Sequence, residues 1–143
     1  MQKTYLCIDL KSFYASVECV ELGLDPFEVN LVVADPTRGG GAITLAATPA
    51  IKKLGVSSRG RIFEIDPKIE YMITPPRMHL YMEYSCKVYK VFLEFIAKED
   101  IHVYSIDESF LDVTSYLKLY QVSAKNLAKK ILERLLGLEP ICI

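Results

Sequence analysis

The chain has 143 residues, a formal net charge of −1 and 51% hydrophobic residues. This length supports one substantial core, or one core with a small lobe, and the apolar content excludes a disordered chain. The near-neutral charge argues against tight autonomous binding to DNA, because duplex affinity depends on Lys and Arg side chains that neutralise phosphates.

Cysteine usage and hydropathy indicate the compartment. Four cysteines without a C-x-x-C pair predict buried free thiols in a reducing environment. No basic leader followed by an apolar segment opens the chain, and no apolar run approaches the roughly 20 residues that span a bilayer. We therefore expect a cytoplasmic protein without a membrane partner.

The first half of the chain alternates short strands with short helices. Hydrophobic periodicity and Gly or Pro stops predict strands over 4–9, 30–34, 42–47 and 71–74. Helices are predicted over 12–22, with Ser12 as the N-cap, and over 48–54, where Gly55 ends the helix. The Gly-rich segment 38–41 lacks the frame of a P-loop and predicts a tight turn.

The second half begins with a long amphipathic helix over 78–97, whose apolar stripe we expect to form core. Strands over 102–106 and 109–113 form a hairpin, and a last helix covers 123–136. Strand, helix and strand at each end of the chain, with a hairpin between, predict an α+β fold of the ferredoxin-like split βαβ type.

Three acidic residues lie where apolar strands stop. Asp9 ends the first strand, and Asp107 and Glu108 lie in the hairpin. If these strands are neighbours, the three carboxylates converge, and two charges about 4 Å apart cost roughly 4 kcal/mol at an effective dielectric constant near 20. A hard divalent cation bound through oxygen would relieve this repulsion. Taken singly, each acid is more often an ordinary turn or cap residue.

Two segments carry a family resemblance. YLCIDLKSFYASVE, residues 5–18, resembles the first catalytic motif of Y-family translesion DNA polymerases, and YSIDESFLDV, residues 104–113, resembles their third motif. The branch that the chain resembles most is the UmuC-like, or ImpB/MucB/SamB, group. This implies a DNA repair enzyme of the SOS response that transfers deoxynucleotides to a primer 3′-OH by two-metal catalysis.

The resemblance also implies the site residues. Asp9, Asp107 and Glu108 would be the catalytic acids and would hold two Mg²⁺ ions, for which Mn²⁺ can substitute, with the backbone carbonyl of Leu10. A triphosphate and its sugar would contact a second set of residues, with Tyr14 as the steric gate against a ribose 2′-OH: Ser12, Phe13, Tyr14, Lys52 and Lys53.

One departure weakens the match in the triphosphate region. Where the family often has Asn-Tyr-x-x-Arg, this chain has Ala-Thr-Pro-Ala-Ile-Lys-Lys over residues 47–53. A lysine supplies a point charge but not the two-pronged contact of an arginine, and the sequence leaves open whether Lys52 or Lys53 faces the nucleotide.

As domains, the resemblance implies a truncated palm over 1–23 and 77–143 and a fingers insertion over 24–76, with thumb and little finger absent. Implied partners are primer–template DNA, a deoxynucleoside triphosphate and, through the missing C-terminal parts, the replication sliding clamp. One alternative is a catalytically silent palm and fingers module that acts in binding only. A nucleotidyl cyclase with a similar core would want Gly-Gly where Ser105 and Ile106 stand.

Overall fold

A computed structural model describes residues 2–138. In chain order, the strands are β1 (Tyr5–Asp9), β2 (Leu31–Val33), β3 (Ala46–Ala47), β4 (Met72–Thr74), β5 (Ile101–Val103) and β6 (Glu108–Asp112). The α-helices are α1 (Phe13–Glu21), α2 (Pro49–Lys52), α3 (Met78–Phe95), α4 (Thr114–Leu119) and α5 (Ala124–Leu136). Short 3₁₀ turns cover Pro36–Gly41, Ile62–Glu64 and Lys98–Asp100.

The described residues divide into two compact units, 2–11 with 82–138 and 12–81. The resemblance implies boundaries at 23/24 and 76/77, whereas this division groups α1 and residues 77–81 with residues 24–76. The assignment of palm and fingers stays a prediction. Residues 139–143, which include Cys142, lie outside the described part.

The first unit contains an antiparallel sheet with the strand order β1-β6-β5. Along β1 and β6 the pairing runs from Tyr5 opposite Asp112 to Asp9 opposite Glu108. Because side chains alternate between the two faces of a strand, Ile8 and Leu111 are buried while Asp9 is exposed. The helical part of this core is formed by Tyr84, Val88, Val91 and Phe92 of α3 and Leu127, Ile131 and Leu135 of α5.

The second unit contains a sheet with the order β3-β2-β4, in which β2 runs antiparallel to β3 and parallel to β4. Val32, Ala47, Ile51 and Ile65 form one cluster of its core. Thr48 begins α2: its Oγ1 accepts from the amides of Leu31 and Ile51 and donates to the Val29 carbonyl. This fully buried hydroxyl therefore joins the sheet to the helix.

Several predicted bounds need correction. The strand expected over 42–47 is reduced to Ala46–Ala47, because Ile43 forms only an isolated bridge with Arg61. The sequence also missed α4, which is six residues long and has no side-chain cap. Within residues 2–138, none of the helices is both long enough and apolar enough to cross a bilayer.

The cysteine prediction was partly wrong. Cys7, Cys19 and Cys86 are free thiols, but only Cys19 is buried. Cys7 lies on the outward face of β1, and Cys86 lies on an exposed position of α3.

Candidate active site

The acidic edge of the first unit is built by the pairing of β1 with β6. Asp9 is the last residue of β1, Glu108 is the first residue of β6, and the two are direct cross-strand partners. Just beyond this pair, the amide of Leu10 donates to the Asp107 carbonyl at 2.8 Å. Residues about one hundred positions apart in the sequence are thus fixed side by side at one end of the sheet.

Asp107 occupies a different environment from the other two acids. Its carboxylate accepts a hydrogen bond from Ser105 Oγ at 2.9 Å. It also lies in the wall of a cavity of about 190 Å³ beneath the sheet, together with Ile8, Leu10 and Ser109. Ile8 points away from Asp9 because adjacent strand residues face opposite sides.

Strand pairing brings Asp9 and Glu108 together, and the convergence of Asp107 with them stays a prediction. Within residues 2–138, no group of three His, Cys, Asp or Glu side chains is arranged to hold a metal ion. The face-to-face pair is Asp9 with Glu108. Their metal ligation, and that of Asp107, stays a prediction.

The hairpin that carries Asp107 and Glu108 is anchored from α3. Ser85 Oγ donates to the Ile106 carbonyl at 2.6 Å, and the amides of Tyr104 and Ser105 both donate to the Glu108 carbonyl. These bonds hold the backbone on each side of Asp107. Ser85 was not among the residues to which the sequence pointed.

Cys7 is a neighbour of the acids that sequence reasoning missed. Its thiol donates to Glu108 Oε1 at 3.6 Å. The pKa of the Cys7 thiol is raised, mainly by local desolvation. The hydrogen bond to Glu108 and the negative charges of Glu108 and Asp9 raise it further. The i, i+2 spacing to Asp9 was the available signal, since it places both side chains on one face of the strand.

In the second unit, the start of α1 holds the residues predicted to meet the nucleotide. Phe13 is buried, and Tyr14 is half-buried with its ring stacked on Tyr81 at a centroid distance of 4.5 Å and an interplanar angle of 13°. The structure therefore gives Tyr14 a defined neighbour that the sequence did not reveal.

Ser12 occupies the N-cap position of α1 but does not cap it with its side chain. A capping serine has extended backbone angles, whereas Ser12 has φ 53° in the left-handed region, so its hydroxyl does not serve the first-turn amides. The predicted capping role of Ser12 was wrong. The left-handed backbone of Ser12 instead belongs to the turn at residues 11–12 that precedes α1.

Lys52 and Lys53 lie at the end of α2. Lys52 is its last residue and half-buried, and Lys53 is its exposed C-cap. Arg61, from the same basic stretch of the sequence, donates from its guanidinium to the Gly41 carbonyl at 2.6 Å. Arg61 thus holds the turn at 36–41 in place.

Comparison with known proteins identifies the family to which the chain belongs. A family model described as impB/mucB/samB matches residues 8–139. The chain belongs to this family. It is 46% identical over 114 residues to UvrX of Bacillus subtilis (strain 168), which carries the name of a UV-damage repair protein. It is 42% identical over 109 residues to the "DNA repair protein homolog YozK" of the same strain, and 34% identical over 139 residues to that strain's "DNA polymerase IV 2".

This impB/mucB/samB chain covers very different shares of the length of its relatives. It covers 27% of UvrX and 32% of DNA polymerase IV 2, but 93% of YozK. The matched parts are 78%, 94% and 74% of this chain for UvrX, DNA polymerase IV 2 and YozK.

The solved structures confirm the predicted α+β polymerase fold. DinB from Sulfolobus solfataricus matches 96% of this chain with 28% identity and a TM-score of 0.77, and this chain covers 40% of it. A Y-family DNA polymerase chimera of Dbh and Dpo4 matches with 27% identity and a TM-score of 0.78, again over 96% of this chain and 40% of the other. The resemblance to the Y-family fold is therefore confirmed.

Proposed function

We propose that this chain supplies the metal-binding and nucleotide-binding parts of a translesion DNA polymerase that extends a primer during DNA damage bypass. The observation that carries the proposal is the pairing of Asp9 with Glu108, with Leu10 bonded to the backbone of Asp107, in a chain of this family. Relatives named DNA polymerase IV and Y-family neighbours solved as ternary complexes support the same conclusion.

The residues present fit a magnesium site chemically. Asp9, Asp107, Glu108 and the Leu10 carbonyl offer only oxygen donors, which Mg²⁺ and Mn²⁺ prefer. When bound, two such cations neutralise charge on the attacking and leaving oxygens of an in-line displacement at phosphorus. The mutual repulsion of Asp9 and Glu108 across the strand pair favours cation binding at this edge.

In this proposal, residues of the second unit bind the nucleotide. α1 is nine residues long with no acidic residue in its first turn, so its N-terminal amides and partial positive charge suit a phosphate group. Lys52 and Lys53 add positive charge for a triphosphate. The ring of Tyr14 would contact the deoxyribose and exclude a 2′-OH by steric overlap.

Calorimetry tests the metal part directly on the chain. We expect millimolar Mn²⁺ with dATP to bind the wild-type chain, and Asp9→Asn to abolish that binding. Glu133→Gln on the exposed face of α5 is the control, because it also removes one carboxylate and should leave binding unchanged. Equal binding by wild type and Asp9→Asn would remove the acidic edge as the metal site.

Primer extension tests the reaction. A chimera in which this chain replaces the matching N-terminal third of DNA polymerase IV 2 should extend a primer, and Asp107→Ala should abolish extension. Tyr14→Ala should instead keep extension and raise ribonucleotide incorporation by orders of magnitude. An unchanged sugar preference would show that Tyr14 is only a packing residue.

A binding-only role is the second candidate, and one observation favours it. YozK, which this chain covers almost completely, is named as a DNA repair protein homolog although it is little longer than the matched segment. A chimera without activity, together with dATP and Mn²⁺ binding by the chain itself, would support this role.

A further inference from the structure

Glu18 is a buried carboxylate to which the proposed reaction assigns no role. Its side chain is 3% exposed, and it lies on α1, one turn beyond Tyr14. A buried carboxylate costs free energy unless its oxygens are paired and hydrogen-bonded. The groups that contact Glu18 therefore indicate its structural role.

Two side chains form hydrogen bonds with the Glu18 carboxylate. Arg77 is the residue before α3, and Tyr81 lies in the first turn of α3. Arg77 Nε donates to Oε1 at 3.0 Å, and its terminal NH2 group donates to Oε2, which makes a two-pronged ion pair. The Tyr81 hydroxyl donates to Oε1 at 2.7 Å. Glu18 and both of its partners belong to the second unit.

Tyr81 makes two contacts, one through its hydroxyl and one through the face of its ring. Its side chain is fully buried, and its hydroxyl position is set by Glu18. Burial, then the bond to Glu18, raises the pKa of Tyr81, so the hydroxyl remains a proton donor through the physiological range. The face of the same ring is stacked against Tyr14.

We infer that the Glu18–Arg77 ion pair is a positioning device for the sugar-selecting ring of Tyr14, acting through Tyr81. The inference rests on the proposed role of Tyr14 and extends it to three residues that touch no nucleotide in the proposal. Stacking keeps the two rings nearly parallel, and a ring anchored at its hydroxyl cannot slide away from its partner. Glu18 thus fixes Tyr81, and Tyr81 fixes the plane and position of Tyr14.

Tyr81→Phe is the primary test because it removes one hydroxyl and keeps the ion pair between Glu18 and Arg77. The measured quantity is the dissociation constant for ATP divided by that for dATP, by calorimetry on the chain with Mn²⁺. A hydrogen bond to a charged group is worth roughly a tenfold change in an equilibrium constant. We therefore expect the preference for dATP to fall by about tenfold, with dATP affinity changing less than ATP affinity.

A matched control exists in the first unit. The Tyr116 hydroxyl donates to Asp100 Oδ2 at 2.7 Å, so Tyr116→Phe also removes a tyrosine–carboxylate bond. This variant should leave the ATP to dATP ratio unchanged. Arg77→Lys keeps the charge but loses the two-pronged geometry, and it should lower the ratio in the same direction as Tyr81→Phe.

A double variant separates positioning from general destabilisation. If Tyr81 acts through Tyr14, Tyr81→Phe should have no effect on the ratio in a Tyr14→Ala background. A ratio that Tyr14→Ala lowers but Tyr81→Phe leaves unchanged would overturn the inference while the gate itself stands. A ratio that Tyr14→Ala also leaves unchanged, or a wild-type chain that does not bind dATP, would overturn the proposed nucleotide site and the inference with it.

Discussion

Replacing Glu108 by Gln should stabilise the chain when divalent cations are absent. Directly opposed strand residues such as Asp9 and Glu108 have Cβ atoms about 4.5–5.5 Å apart. Two charges about 5 Å apart repel by about 0.8 kcal/mol in water and about 3 kcal/mol at an effective dielectric constant near 20. Because Asp9 is exposed and Glu108 half-buried, solvent screens the pair, and we expect a gain of about 1 kcal/mol.

Thermal unfolding followed by circular dichroism in EDTA measures this gain, which corresponds to a rise of about 3 °C in Tm. With Mn²⁺ the order should reverse, since a ligand stabilises only the protein that binds it. Glu133→Gln serves again as the control and should not raise Tm. A lower Tm for Glu108→Gln in EDTA would refute the reasoning, because the bond from Cys7 would then outweigh the repulsion from Asp9.

Three further outcomes follow from the contacts. Thr48→Val should lower the free energy of unfolding by about 2–3 kcal/mol in urea titrations, because it leaves buried backbone groups unpaired, whereas Thr48→Ser should cost less. Thr114 lowers the pKa of Asp112 through hydrogen bonds from its hydroxyl and its amide. A carboxyl group with a lowered pKa stabilises the folded state above its unfolded-state pKa, and this stabilisation is lost as pH falls through the folded-state pKa. Thr114→Val should therefore raise the pKa of Asp112 in an NMR titration. It should lower the free energy of unfolding only at pH values above this acidic window. Labelled primer–template should bind the chain only weakly at about 150 mM salt in fluorescence anisotropy, and a submicromolar dissociation constant would contradict the expected scarcity of phosphate contacts.

Local signals were sufficient for the elements that carry the candidate site. The apolar run that ends at Asp9 and the pattern of α3 and α5 depend on neighbours within a few residues, so strand and helix existence could be predicted. The motif residues 5–18 and 104–113 likewise identified the polymerase fold. Errors appeared where tertiary pairing decides, as in the strand expected over 42–47, where only Ala46–Ala47 pairs with β2.

Residue type and spacing along one element are local properties, so the residues with suitable chemistry for cations and nucleotides could be found before the fold was known. Which of these residues meet depends on long-range packing. It paired Asp9 with Glu108, directed Asp107 to another environment, and brought Cys7 to Glu108. It also joined Glu18 to partners 59 and 63 residues away. Such contacts depend on strand register and on which helix face packs inward, and these are settled by burial of the whole core.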